Sequence, residues 1–328
     1  MSAKRLLVTG ANGFIGRHVV TRLLEDGHSL TLGESASYPS GWRENPRIRI
    51  VALKRLECDQ KLDHALQDVG KVIHLAGLAH IARSDRDDAD EEFHKANAVA
   101  TANLVTAAEG AQIDSFINLS SLAAIVDNSV AYTITDDTQG EPTTAYGRSK
   151  LEAEKHVGRL ARSGILAVSL RPPLVVGAAA KGNWAGLQKL AASGIPLPFA
   201  SIRNARSFIS AHSLAEAVSH LCRSTWPKEL SGRYCLADPG FLSLRDVVEE
   251  LRAGMGMGAR LLPCPATVFG WLGAATGRRR QMAGLTGDLK VDPSRFIERF
   301  RFSPSLPIRE AIRRSGEEYG RQVRGGNI

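Results

Sequence analysis

Tyr146 and Lys150, in the stretch TAYGRSK, lie four residues apart, the spacing that stacks two side chains one turn apart on the same helix face. A phenol and an ammonium placed in this way can cooperate chemically. By itself a Tyr-x-x-x-Lys pair more often marks the start of an amphipathic helix, with the ring half buried and the lysine solvated. Its meaning therefore depends on what else the chain brings to the same place. Near the N-terminus, VTGANGFIG sets Gly10, Gly13 and Gly16 directly after a strand-like run and at the opening of a helix-like one. Glycines let the backbone approach a pyrophosphate, and free amides at the positive end of a helix dipole attract its charge. Dinucleotide binding is expected at this turn, whose other residues include Asn12, Phe14 and Ile15.

Further candidates stand at strand ends. Glu34 follows the run LTLG, where an acidic side chain accepts from the ribose 2′-hydroxyl of NAD and repels the extra phosphate of NADP. NAD is expected, with NADP left open; an ordinary surface carboxylate is the competing reading of Glu34. HLAG closes another run with Leu75, Ala76 and Gly77, small enough for a cofactor to cross the sheet edge, although packing alone would also select Ala76 and Gly77. FINLSS ends a third run at Ser120 and Ser121. Serines at strand ends are usually turn formers, but in a parallel sheet these ends share one edge. Ser121 and the first half of the Tyr146 helix would then converge there.

The elements that must position these groups alternate. RLLVTG, LTLG, RIRIVAL, KVIHLAG, SFINLSS and ILAVSLRPP read as strands. Between them lie the helix after Gly16, the helix DQKLDHALQDV, a long Ala-rich helix over 90–109 and the Tyr146 helix. Repeated strand-helix-strand units predict an α/β fold, a Rossmann-like doubly wound parallel sheet. After Pro173 the pattern changes to Gly/Pro-containing loops and shorter helices with little strand content. We expect a cofactor-binding domain over 1–172 and a smaller C-terminal substrate-binding lobe over 173–328, with exchange of a strand and helix between them. Substrate should be gripped beyond the carboxyl ends of the strands.

At 328 residues, 43% apolar and 23% charged, the chain is of ordinary globular composition. It opens directly on a strand, and no window approaches ~18 uninterrupted apolar residues, so a cytoplasmic protein with no membrane span is expected. Cys58, Cys222, Cys235 and Cys264 form no Cys-x-x-Cys pair, which argues for free thiols and no metal site. The net charge of +8 is C-terminal: residues 252–328 hold 14 Lys and Arg against 6 Asp and Glu. No nucleic-acid-binding motif accompanies this excess. An anionic small substrate or a solvated basic surface explains it better.

Taken in order, TGANGFIG, HLAG, NLSS, YGRSK, LRPP and RSFISAHSLAEAV resemble the extended branch of the short-chain dehydrogenase/reductase superfamily, whose members modify nucleotide sugars. The resemblance covers nearly the whole chain. The ending GDLKVDPSRF to FSPSLPIREAI is similar to the close of bacterial UDP-sugar 4-epimerases and 4-keto-sugar reductases of polysaccharide synthesis. It implies that Tyr146 is the catalytic acid/base, that Lys150 binds the nicotinamide ribose and lowers the tyrosine pKa, and that Ser121 hydrogen-bonds the reacting sugar oxygen. It also implies cofactor contacts from Asn97 and Pro172, and substrate contacts from Asn183 and Arg206. It further implies a homodimer made by pairing the 90–109 and Tyr146 helices, for which Ala96, Ala98, Ala100, Ala102 and Ala107 supply small positions.

Two departures matter. Dehydratases of the family follow the strand-end serine or threonine with an Asp-Glu pair, whereas Ser121 precedes Leu122, Ala123 and Ala124. Galactose 4-epimerases carry an Asn-Pro pair where this chain has Pro172, Pro173 and Leu174. NAD(P)-dependent redox chemistry at C4 of a UDP-sugar is expected, by epimerisation or one-way reduction. A catalytically silent NAD(P) sensor and a 4,6-dehydratase are the alternatives.

Overall fold

The computed structural model describes residues 4–325 apart from 54, 59, 80–85, 266–267, 269–283 and 285. Seven strands form one all-parallel sheet: β1 (Arg5–Thr9), β2 (Leu30–Gly33), β3 (Ile48–Val51), β4 (Val69–His74), β5 (Ser115–Leu119), β7 (Leu166–Arg171) and β10 (Gly232–Cys235). Two short strands outside it are β6 (Thr133–Ile134) and β8 (Leu174–Val176). The sheet order is β10-β7-β5-β4-β1-β2-β3, so the chain reverses direction of winding between β1 and β4. That is the switch point at which open parallel sheets hold ligands.

Helices cover both faces, which is why every residue of β5 and β7 is buried. On one face α1 (Phe14–Glu25) and α7 (Ala211–Arg223) pack Val19, Leu23, Leu214 and Leu221 onto Val8, Ile117 and Leu170. On the other, α4 (Ala100–Gly110) and α5 (Ala145–Arg159) pack Leu104, Val105 and Val157 onto Leu7, Val72 and Phe116. Each such side chain contributes about 1.5–3 kcal/mol by leaving water. The expected doubly wound α/β sheet is therefore present.

Two helices differ from expectation. The helix expected over DQKLDHALQDV is reduced to α2 (Asp63–Leu66), because Asp68 takes a left-handed φ of 58° and turns the chain into β4. Asp59, the first residue of that expected helix, lies outside the described residues. The Ala-rich helix is interrupted: α3 (Arg86–Phe93) passes through a π-turn at His94–Val99 before α4 begins.

Beyond β7, the strand pair β8 and β9 (Phe208–Ser210) and the pair β6 and β11 (Lys290–Val291) form two small sheets. They carry α6 (Asn183–Ala192), α8 (Leu244–Gly254), α9 (Ser294–Phe300) and α10 (Ile308–Arg324). Trp184, Val247, Leu251, Ile312 and Tyr319 form a separate apolar cluster there. β10 returns from this half to edge the main sheet. Among the described residues no helix is long and apolar enough to cross a membrane.

Candidate active site at the carboxyl edge of the sheet

The glycine turn after β1 is built by exclusion of side chains. Gly10 has φ +70°, and a Cβ there would lie 2.5 Å from the Ala76 nitrogen; a Cβ on Gly16 would lie 2.1 Å from the Gly10 oxygen. The Gly13 amide donates to Gly10 O at 3.0 Å, and Gly13 caps α1 with no side chain of its own. The first amides of α1 thus face the turn without a side-chain acceptor, as a pyrophosphate requires. Phe14 reaches the other half of the chain, where a Cβ on Gly177 would meet its Cζ at 2.7 Å, and Ile15 packs on the main core. Asn12 instead holds Arg17, whose Nη2 donates to Asn12 Oδ1 at 2.8 Å and to Ser37 O at 2.9 Å. Glu34 is exposed immediately after β2, and its amide donates to Val51 O at 2.9 Å.

Across the switch point, Leu75, Ala76 and Gly77 continue β4 over the edge. Gly77 has a second reason to lack a Cβ, which would stand 2.7 Å from Asn97 Oδ1 and 3.2 Å from Lys150 Nζ. Asn97 is buried because the π-turn rotates it inward; it donates to Leu78 O at 2.9 Å and to Ser149 Oγ at 2.9 Å, and accepts from the Leu78 amide at 2.8 Å. The structure therefore brings Gly10, Ala76, Gly77, Asn97 and Lys150 together at the switch point.

Ser121 begins a short 3₁₀ turn (Leu122–Ala124) just past β5, and its Oγ accepts from the Ala123 amide at 3.1 Å. Pro172 fixes that turn by accepting from the Leu122 amide at 3.0 Å. α5 then packs onto the turn so closely that a Cβ on Gly147 would lie 2.3 Å from Ala123 O. This contact sets Tyr146 beside Ser121. Burial raises the Tyr146 pKa above its ordinary value of 10.0, opposed by the Ser121 hydroxyl. Phe93 packs on the same ring with centroids 5.7 Å apart.

Lys150 is buried, and its Nζ donates to Leu119 O at 2.9 Å. Desolvation lowers its pKa to about 8, opposed by the Glu154 carboxylate. The Ser121 hydroxyl is a neighbour that favours ionisation of the phenol. Burial outweighs it, so in the protein alone the phenol is held neutral.

The other candidates belong to the C-terminal half. Asn183 is exposed at the first position of α6, and Arg206 lies between segments, donating to Gly287 O at 2.8 Å and to Asn128 O at 3.5 Å. Several supports escaped sequence reasoning. Asp127 accepts from the Thr143 and Thr144 amides at 3.2 Å and from Thr144 Oγ1 at 3.1 Å, while Thr144 Oγ1 caps α5 by accepting from the Gly147 amide at 3.1 Å. Burial would raise the Asp127 pKa, but these hydrogen bonds prevail and it is lowered. Glu154 accepts from Ser120 Oγ at 2.6 Å and pairs bidentately with buried Arg171 at 2.8 and 2.7 Å. The one available signal was Glu154 itself, four residues beyond Lys150 on the same face. Among the described residues no group of His, Cys, Asp or Glu could hold a metal ion.

The chain is 27% identical over 322 residues to a UDP-glucose 4-epimerase of Vibrio cholerae, covering 96% of this chain and 95% of that protein. Its fold matches a UDP-glucuronic acid 4-epimerase of Bacillus cereus in complex with NAD, with TM-score 0.77 and 18% identity over 99% of this chain and 98% of that one. It also matches a dTDP-glucose 4,6-dehydratase of Bacillus anthracis in complex with NAD, with TM-score 0.73 and 13% identity over 98% of each chain. The sequence profile of the NAD dependent epimerase/dehydratase family matches residues 6–230, which hold the glycine turn, Ser121, Tyr146 and Lys150. With more than half of its length inside that match, the chain belongs to the NAD dependent epimerase/dehydratase family.

Proposed function

We propose that this protein catalyses NAD-dependent redox chemistry at C4 of a UDP-sugar, most simply 4-epimerisation. The observation that carries the reading is the convergence of Ser121, Tyr146 and Lys150 beside a glycine cradle. Similarity along 95% of a UDP-glucose 4-epimerase supports it. The cradle formed by Gly10, Gly13, Gly16 and Gly77 fits a dinucleotide, and exposed Glu34 suits the ribose hydroxyl of NAD better than the phosphate of NADP. When bound, the nicotinamide supplies a hydride acceptor and donor.

The chain's own residues handle position and protons. Ser121 Oγ orients the sugar O4, and Tyr146 Oη takes the O4 proton as C4 is oxidised and returns it after the 4-keto sugar has turned over. Lys150 would hold the nicotinamide ribose. One-way reduction would use the same groups, with Tyr146 only donating. The dehydratase reading is disfavoured because Leu122, Ala123 and Ala124 stand where its Asp-Glu pair would follow Ser121, with Leu122 and Ala124 buried. We assign cofactor binding to 1–172 and substrate binding to 173–328, with Asn183 and Arg206 on the nucleotide-sugar. We also infer a cytoplasmic homodimer.

A panel of UDP-, dTDP- and GDP-sugars and their 4-keto forms, followed by NADH absorbance and product NMR, tests the reading. Turnover without net cofactor change supports epimerisation, and stoichiometric NAD(P)H oxidation supports reduction. Cofactor binding with no turnover on any member would favour the silent sensor instead.

A further inference from the structure

His74 ends β4 at 1% exposure, enclosed between two hydroxyls. Its Nδ1 is 2.7 Å from Thr9 Oγ1 and its Nε2 is 3.0 Å from Thr101 Oγ1. The protons in this run can be placed by counting donors. Thr101 Oγ1 donates its only proton to the Asn97 carbonyl at 2.5 Å, so toward His74 it can only accept. His74 Nε2 must therefore carry the hydrogen. A neutral imidazole has one N–H, so Nδ1 accepts, and Thr9 Oγ1 donates to it. The same hydroxyl then accepts from the Ala76 amide at 3.3 Å. Every donor and acceptor is used in one sense only. Burial keeps the ring neutral, lowering its pKa to about 3 with a smaller contribution from the Lys150 charge, so this arrangement does not change near neutral pH.

The two ends of the run are functional. Thr9 precedes Gly10, whose missing Cβ lets Ala76 approach the glycine turn. Thr101 holds the π-turn that carries Asn97, and Asn97 bonds Ser149, whose Oγ in turn donates to the Tyr146 carbonyl at 2.8 Å. We propose that His74 is a tautomer-locked positioning residue whose Nδ1 arm sets the phosphate-binding turn and whose Nε2 arm sets Asn97 beside Lys150 and the Tyr146 helix. The proposal rests on the cofactor reading above. A ring that merely fills the core beside Phe116, with centroids 6.0 Å apart, would not need this polarity.

The test uses the full chain. In histidine labelled with ¹⁵N, the His74 signal, assigned by its loss in His74→Asn, is expected to show the Nε2–H pattern unchanged from pH 8 to pH 5. Thr9→Val and Thr101→Val each delete one hydroxyl with little change of shape. Loss of a hydrogen bond of ordinary strength predicts that Thr9→Val weakens NAD binding by about 3- to 10-fold without moving the pH profile of turnover. Thr101→Val should shift that profile and lower kcat by a similar factor. Thr9→Ser and Thr101→Ser keep the hydroxyls and should restore both readouts, which separates the arms from any loss of fold. An Nδ1–H ring overturns the relay whatever binds, and so do two valine variants that move the same readout equally. A wild-type protein that shows the Nε2–H ring yet binds no NAD overturns the proposed function and the cofactor arm with it.

Discussion

Lys150→Met should make the ligand-free protein more stable while impairing it as an enzyme. Burial lowers the Lys150 pKa from 10.5 to about 8. In this range the unfolded chain binds the proton more tightly than the folded one, so the folded state carries a penalty that is complete below pH 8. The penalty disappears as the pH climbs toward the unfolded value. A shift of that size corresponds to about 3 kcal/mol. Methionine keeps the apolar stem but leaves Leu119 O without its partner, an offset of about 1 kcal/mol. The variant should therefore be more stable by about 2 kcal/mol at pH 7. Urea unfolding of both proteins from pH 6.5 to 9.5 reads the difference. Other titrating groups, including the buried Cys222 and Cys235 thiols, are common to both proteins and cancel. The gap should close by about 2 kcal/mol between pH 7 and 9.5. A variant less stable than wild type at pH 7, or a gap independent of pH, would show that the ammonium is not desolvated as described.

Tyr146→Phe keeps the ring against Phe93 and deletes only the hydroxyl, so NAD affinity should hold while turnover falls ~10²- to 10⁴-fold, measured by steady-state kinetics on the true substrate. Gly10→Ala forces a Cβ to within 2.5 Å of the Ala76 nitrogen at a left-handed φ of +70°, and should abolish NAD binding in a fluorescence titration while lowering the melting temperature. Asp127→Ala releases Thr143 and Thr144 from the start of the Tyr146 helix, and kcat should drop. Because the folded Asp127 pKa lies below its ordinary 3.8, its stabilisation is present above that value and lost as pH falls, so the melting-temperature difference from wild type should shrink in acid.

How much was legible in the sequence follows from how local each requirement is. Gly10 clears the Ala76 backbone beyond β4, but Gly13 and Gly16 are needed because backbone must approach backbone within one turn, and Tyr146 and Lys150 pair within one turn of helix. Such demands leave short motifs. The strands were legible because a sheet covered on both faces needs unbroken apolar runs. The π-turn at His94–Val99 was not, since its cause is tertiary: Asn97 is rotated inward to meet Leu78 and Ser149, residues on other elements. Asp127 reads as a loop residue until the fold returns Thr143 to it, and His74 gains its partners only when β1 and the Ala-rich helix close around β4. α2 was overestimated because apolar spacing continues past the point where Asp68 reverses the backbone.

Burial dominates the electrostatics of Tyr146 and Lys150 in the protein alone. A lysine one turn from a tyrosine should lower the phenol pKa if both stand in water or if the lysine points at the ring. Here Nζ is buried and turned to the Leu119 carbonyl at 2.9 Å, and the Tyr146 ring is half-buried. Desolvation acts on each toward its neutral form, raising Tyr146 and lowering Lys150. The protein by itself thus presents a neutral phenol, ready to donate a proton. Accepting one requires added positive charge near the ring, which an oxidised nicotinamide carries and a reduced one does not. On the 4-epimerase function proposed above, a site built in this way would couple the protonation of Tyr146 to the redox state of the cofactor. On that same proposed function, Tyr146 would be a base when C4 is oxidised and an acid when it is reduced, the alternation that epimerisation needs.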